Sequence, residues 1–514
     1  EPVLRQALGL GWRWWPRAGS DGARQLAALA YFGTVLGLTA AGVAFSLRHG
    51  LPAGTPWAMA ALAGLLLVLP WSEAVVAVVN RLIAELVPPG RLPRLALDHG
   101  VPAEHATLLV IPCMLTSEST VAALAAQLEQ HHLSNPEPHV QLALLSDWAD
   151  ADQATQPRDA ALLGAAVAAI ARLNDRYPAN RLLPSATGQP VPRFLLLHRA
   201  RRWSETEQRW IGWERKRGKI EALVAWLTQP ADTPMPFEPL GDLTAVQAGT
   251  RHLLTLDSDT DLPPGRLRAL VGVAAHPQNQ PRVDRARRRV TAGYGILQPR
   301  VDTPLPDSRG LTRYHRLFSG ECGLDPYAAS SSEAYQDLFG EGSFTGKGLL
   351  NLQALRATLL ERLPEGQVLS HDLLEGSLAR CAAVSDVNVV EDAPAHPDVA
   401  ASRLHRWTRG DWQLLPFLAG RHGLDMAGIN RWKMLDNLRR SLVAPGSLAL
   451  VLLALVSGVL PVGSTLALVA LAVAAGPLLG AVAGLAPSRD DIALRRFYRL
   501  GGRELWRALA QGAW

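Results

Sequence analysis

The stretch His252-Leu253-Leu254-Thr255-Leu256-Asp257-Ser258-Asp259 decides how this chain is read. A short apolar run, the length of one buried strand, stops on two carboxylates two residues apart. Working outward, the same pattern recurs. Thr107–Cys113 (TLLVIPC) is a buried-strand run, and Ser117, Glu118, Ser119 and Thr120 after it mark a helix start. Val140–Ser146 is a second run and stops on Asp147, and Phe194–His198 is a third. Gln367–Ser370 is a candidate fifth strand running into His371 and Asp372, while the alanine-rich 158–173 reads as a helix. Stretches 230–242 and 276–286 read as loops. Strands alternating with helices predict an α/β domain with a mostly parallel sheet. Such sheets gather ligands at the carboxyl ends of their strands. Asp147, Asp257, Asp259 and Asp372 all fall on that edge.

The flanks differ in character. Of 514 residues, 51 are Lys or Arg and 46 are Asp or Glu, a formal net charge of +5. That balance excludes a disordered or collagen-like chain, and no nucleic-acid partner is expected. Charge is absent from Gln25 to Leu47 (23 residues), from His49 to Ser72 (24) and from Ser441 to Ser488 (48). The first two are each long enough for one membrane helix. The third is too long for one and carries Pro461, Gly463 and Ser464 near its middle, so it predicts two, about 443–460 and 465–486. Arginines crowd both termini and both edges of the middle region, whereas the hairpin tips offer only Arg48. The positive-inside rule therefore puts both ends and the middle in the cytosol. Trp12, Trp14, Trp15, Phe497, Tyr498, Trp506 and Trp514 suit an interfacial belt. The expected organisation is an interfacial segment at 1–24, two spans within 25–80, a cytosolic domain at 95–440, two spans within 441–488, and a cytosolic interfacial segment at 489–514. Three cysteines far apart (Cys113, Cys322, Cys381) make neither a disulfide framework nor a zinc pair. The chain opens on Glu1 rather than Met, so a longer parent protein is expected.

Several clusters carry chemistry. Asp257 and Asp259 supply hard oxygen ligands suited to Mg²⁺ or Mn²⁺, ions that commonly also hold phosphates. Alone, such a triplet is equally a loop cap; its place after a strand gives it weight. Glu214-Arg215-Lys216-Arg217-Gly218-Lys219 opens a helix with basic side chains suited to phosphate or to a solvated basic patch. Gly340-Glu341-Gly342-Ser343-Phe344-Thr345-Gly346-Lys347-Gly348 fails the Walker pattern, because Glu341 and Gly348 stand where Gly and Ser or Thr are needed. A flexible loop able to approach a ligand closely remains. Ser370-His371-Asp372, with Glu375 after it, is a candidate acid/base site or a helix cap. Arg403, Arg406, Trp407, Arg409, Asp411 and Trp412 suit a diphosphate and a sugar face, or an interfacial anchor.

In this order the motifs resemble the membrane-embedded, inverting glycosyltransferases that include cellulose synthase. The strings TLDSDT (255–260), GWERKRGK (212–219), GYGILQPRV (293–301), GLDPY (323–327), YQDLFGEGSFTGKG (335–348), LSHDLLEG (369–376) and RLHRWTRGDWQ (403–413) resemble more narrowly the glycosyltransferase region of cyclic β-1,2-glucan synthases. The resemblance covers about 107–413 and the flanking spans. His371 in place of a glutamate, and an [R/Q]xxRW motif opening on arginine, agree with that group and count against cellulose.

The resemblance implies a GT-A-like (Rossmann-like) domain set between helix pairs in the bacterial inner membrane. It implies inverting glucosyl transfer from UDP-glucose to the 2-hydroxyl of a growing β-1,2-glucan. Residue by residue it gives Asp147 a contact with the nucleotide, Asp257 and Asp259 the metal and diphosphate, and Asp372 the role of base. Lys219 falls on the donor, Gly342, Ser343, Phe344 and Thr345 on the acceptor side, and Arg403, Arg406 and Trp407 on diphosphate and acceptor end. It also implies a phosphorylase-like domain further along the full-length protein. The competing readings are a synthase of another exported β-glucan and a non-enzymatic membrane transport scaffold. The scaffold reading is disfavoured by spans without charged pathway residues.

Overall fold

The structure is a computed structural model describing residues 21–178, 183, 190–228, 234–304, 312–318, 328–329, 332–483, 485 and 493–513. The expected segment at 1–20, with Trp12, Trp14 and Trp15, lies outside the described residues, as do Cys322, the string 323–327, and 486–492 and Trp514 of the terminal segment.

Eight strands form one sheet: β1 (Thr107–Leu115), β2 (Val140–Trp148), β3 (Phe194–His198), β4 (His252–Thr255), β5 (Thr260–Asp261), β6 (Ile296–Asp302), β7 (Gly348–Asn351) and β8 (Cys381–Glu391). Their order is β3-β2-β1-β4-β7-β6-β8-β5. The pairs β1–β2, β2–β3, β1–β4 and β6–β8 are parallel, and β7 runs antiparallel between β4 and β6. This is an α/β domain with a mostly parallel sheet, and most strand carboxyl ends lie on one edge. Its first strands are buried on both faces; Leu109, Ile111, Leu142 and Leu144 enter one core layer and Leu108, Val110, Ala143 and Leu145 the other. Continuous apolar runs are the sequence sign of such strands. Helix α1 (Glu118–Ser134) starts where Ser117 Oγ accepts from Thr120 N at 3.1 Å.

Three expectations are corrected. Gln367–Ser370 is no strand; it follows the left-handed Gly366 and docks on a helix, Leu369 N donating to Gln413 Oε1 at 2.8 Å. Asp372 therefore opens helix α2 (Asp372–Ala379) rather than ending a strand. The stretch 276–286 contains Arg282–Asp284, which pairs with Arg289–Ala292 as a hairpin. β2 runs on through Asp147 to Trp148, so Asp147 sits within the strand.

Among the described residues, four helices are long and apolar enough to cross a membrane: 25–50, 57–86, 428–457 and 462–482. The second and third extend well past their charge-free stretches, because the protein shields the polar turns. On the third, α3 (Gly428–Ser457), Arg439 reaches Glu73 Oε2 of the second at 2.8 Å and Asp436 Oδ1 at 2.7 Å. Buried charge is tolerated there because it is paired. Met434 of α3 packs with Leu374 and Leu378 of α2 in one core cluster.

Buried imidazoles set an acid limit on the domain. Burial lowers His131, His132 and His198 to about 4 and His252 to about 3. The unfolded chain binds these protons near pH 6.5 and the folded chain does not. Stability is therefore full above about pH 6.5 and declines as pH falls toward 4, by roughly 2–3 kcal/mol per imidazole. Melting temperatures of the detergent-purified protein between pH 8 and 4.5 check this; an unchanged value at pH 5 overturns it.

Candidate active site

The carboxyl edge of β4 presents Asp257. Its Oδ1 accepts from Lys216 Nζ at 2.5 Å, and its Oδ2 faces Lys347 Nζ at 3.1 Å. Burial works to raise this carboxyl, but the two ammoniums prevail and hold it below the usual range. Asp259 is more open; burial, then Glu391 and Asp257, push it up. Lys347 also pairs with Glu391 Oε2 at 2.7 Å, and Arg403 with Glu391 Oε1 at 3.2 Å and Asp259 Oδ2 at 3.6 Å. Three carboxylates and three cations thus alternate across the edge.

Asp372 joins this group through the glycine-rich loop. Lys216 Nζ donates to Gly346 O at 2.8 Å. A Cβ on Gly346 would stand 3.0 Å from Lys216 Nζ and 3.1 Å from Asp372 Oδ1, so only glycine (φ +86) lets the loop pass between them. Asp372 Oδ1 is buried and has no hydrogen-bond partner among the described residues. Burial pushes its carboxyl above the ordinary value. His371 Nδ1 lies 2.9 Å from Glu375 Oε1 and 3.4 Å from Asp372 Oδ1. Burial opposes the imidazolium, yet Glu375 and Asp372 prevail and raise it. These three side chains bring their donor atoms within 4.8 Å of one another.

The loop itself is divided. Thr345 is exposed, its N and Oγ1 held by Gln298 Oε1 at 2.9 and 3.1 Å. Ser343 is half-buried, whereas Phe344 turns into the core beside Gly376. Gly342 is sealed: a Cβ there would meet Ala383 N at 2.3 Å.

Asp147 and Lys219 form a separate buried knot. Lys219 Nζ donates to Asp147 Oδ1 at 2.9 Å and to Cys113 O at 2.7 Å, and Arg199 Nη2 to Asp147 Oδ2 at 3.2 Å. Arg199 Nη2 also holds the carbonyls of Trp213 and Arg215, across the left-handed Glu214 and Arg215. The knot thus braces the turn that delivers Lys216. Cys113 offers no nucleophile, since burial pushes its thiol up to about 12.

Arg403 lies on the helix Pro397–Gln413. Gly410 of the same helix packs on Ser370, where a Cβ would meet Ser370 Cβ at 2.4 Å. Arg406 and Trp407 are exposed, the Arg403 guanidinium lying 5.9 Å from the Trp407 ring centroid.

The structure therefore brings Asp257, Asp259, Asp372, Arg403 and the loop to one edge. It keeps Asp147, Lys219 and Phe344 inside and leaves Arg406 and Trp407 outside. Lys216 belongs to the basic strip suited to phosphate, whereas Lys347, Gln298 and Glu391 enter the site without a sequence signal of their own. Lys216, Lys347 and Gln298 stand in the quoted strings; Glu391 ends an eleven-residue strand whose apolar run is interrupted by Ser385, Asp386 and Asn388. Carboxylate oxygens fit Mg²⁺ or Mn²⁺, and Asp259, crowded by Glu391 and Asp257, gains from a cation beside it.

No family model matches the sequence. Over 437 residues, 84% of this chain, it is 41% identical to the cyclic β-(1,2)-glucan synthase NdvB of Rhizobium meliloti (strain 1021), and it spans 15% of that protein's length. A crystal structure of the galactosyltransferase LgtC with donor and acceptor sugar analogues covers 59% of this chain and 94% of its own at 11% identity, with a TM-score of 0.23. That score carries no structural argument.

Proposed function

This chain is homologous to a region of the cyclic β-(1,2)-glucan synthases, and from that premise we propose that it is a glucosyltransferase extending β-1,2-glucan from UDP-glucose with inversion. The proposed setting is the cytosolic face of a bacterial inner membrane, with the domain at 95–440 between the helix pairs and a phosphorylase-like domain elsewhere in the full-length protein. The observation that carries the reading is the meeting of Asp372 with the Asp257 group across Gly346. A base for the acceptor and a charged cradle for the donor need that adjacency.

In the proposed reaction Asp372 takes the proton of the acceptor 2-hydroxyl. The acceptor oxygen bonds to the anomeric carbon as the bond to the β-phosphate oxygen breaks, and UDP leaves with the electron pair. A single displacement needs one carboxylate base, whereas a covalent route needs a nucleophile as well. Lys216, Lys347 and Arg403 release their carboxylates and turn to the diphosphate. Asp257 and Asp259 would hold Mg²⁺ or Mn²⁺, which when bound neutralises diphosphate charge. Asp147 and Lys219 serve the nucleotide side by bracing the Lys216 turn, and Ser343 and Thr345 meet the acceptor. Arg406 and Trp407 stand ready for the acceptor end.

The test is UDP release by the bilayer-reconstituted protein with Mg²⁺ or Mn²⁺, followed by linkage analysis. Turnover with 1,2-bonds is expected. Another linkage would overturn the polymer, and no turnover with any sugar nucleotide would overturn the enzyme reading.

A further inference from the structure

Lys433 is a buried lysine near the start of the third membrane helix. Its ammonium donates to two successive carbonyls of the glycine-rich loop, Glu341 O at 3.0 Å and Gly342 O at 2.8 Å. The Tyr335 ring lies 5.1 Å from the same nitrogen. One turn earlier, Asn430 Nδ2 donates to Glu341 Oε2 at 2.9 Å. Arg380 closes the far side, its Nε 3.3 Å from Glu341 Oε1 and its Nη2 3.3 Å from Gly340 O. Gly342 N completes the clamp by donating to Cys381 O at 2.9 Å.

The first part of the loop is thus fixed by the helix, and the last part by Lys216 and Lys347 at Asp257. Only Ser343 to Thr345 remain between the two anchors. Burying an ammonium is costly, and a helix that merely spans a membrane needs no such group at this turn. A charged donor is instead suited to holding two carbonyls of a glycine-rich segment that has little conformational preference of its own.

We propose that Lys433 is a positioning residue for the acceptor side, setting Ser343–Thr345 relative to Asp372 through the carbonyls of Glu341 and Gly342. This rests on the reading that the loop meets the acceptor. It also makes loop position a function of how the third helix is seated in the bilayer.

The experiment compares wild type with Lys433→Met in lipid nanodiscs by hydrogen–deuterium exchange and by transfer kinetics. Faster exchange confined to 341–346 is expected, with β1 and β2 unchanged. Transfer should fall about 10- to 100-fold, the penalty of a misplaced reacting partner, while the KM for UDP-glucose stays constant and Lys433→Arg restores part of the rate. Unchanged exchange at 341–346 overturns the proposal, and so does a rate loss carried wholly by the UDP-glucose KM. A wild type without transferase activity would count against the glucosyltransferase reading, and the exchange comparison would still decide whether Lys433 holds the loop. If the methionine variant does not fold, Asn430→Ala gives the same exchange readout at smaller amplitude.

Discussion

Asp372→Asn is expected to abolish glucosyl transfer, with a loss of about 10²–10⁴-fold, while the protein stays folded and still binds UDP-glucose. The amide keeps the shape of the carboxyl and cannot accept the proton. Burial already disfavours the Asp372 carboxylate, so removing its charge should change stability by less than about 1 kcal/mol. UDP release, nucleotide binding by calorimetry and a melting curve together check this. A pH profile supplies the sign. The active form is the carboxylate, so activity is present above its raised pKa and is lost as pH falls through it, at higher pH than for an ordinary aspartate. Retained transfer in the variant, or an acid limb no higher than a free carboxylate's, removes Asp372 from the role of base.

Asp257→Asn is the second large effect. Asp257 is the common counter-charge of Lys216 and Lys347. Losing it should weaken the proposed metal and diphosphate cradle and reduce transfer about 10²–10³-fold. Its side chain is about one-third exposed, which moderates the structural cost to roughly 1–3 kcal/mol. Lys347 keeps Glu391 as a partner. Mn²⁺ binding by paramagnetic resonance gives a second readout, expected to weaken in the variant. Full activity with undiminished Mn²⁺ binding would exclude Asp257 from the donor site.

The sequence by itself determined the elements whose signal is local. Uninterrupted apolar runs marked β1 to β4, because strands buried on both faces cannot alternate. Charge-free stretches marked the four long helices, since hydrocarbon excludes charge over a fixed length. The apolar run before Asp257 marked that residue as following a strand, whereas Asp372, expected at a strand end, opens a helix instead. Only the tertiary structure decided the rest. The order that puts β7 antiparallel between β4 and β6 depends on pairings between distant segments. The locking of Asp147 to Lys219, the placing of Lys216 and Lys347 on Asp257, and the hold of Lys433 on the loop all join residues far apart in the chain. No propensity or periodicity encodes such contacts, because each charge finds its partner only after the sheet has formed and excluded water around it.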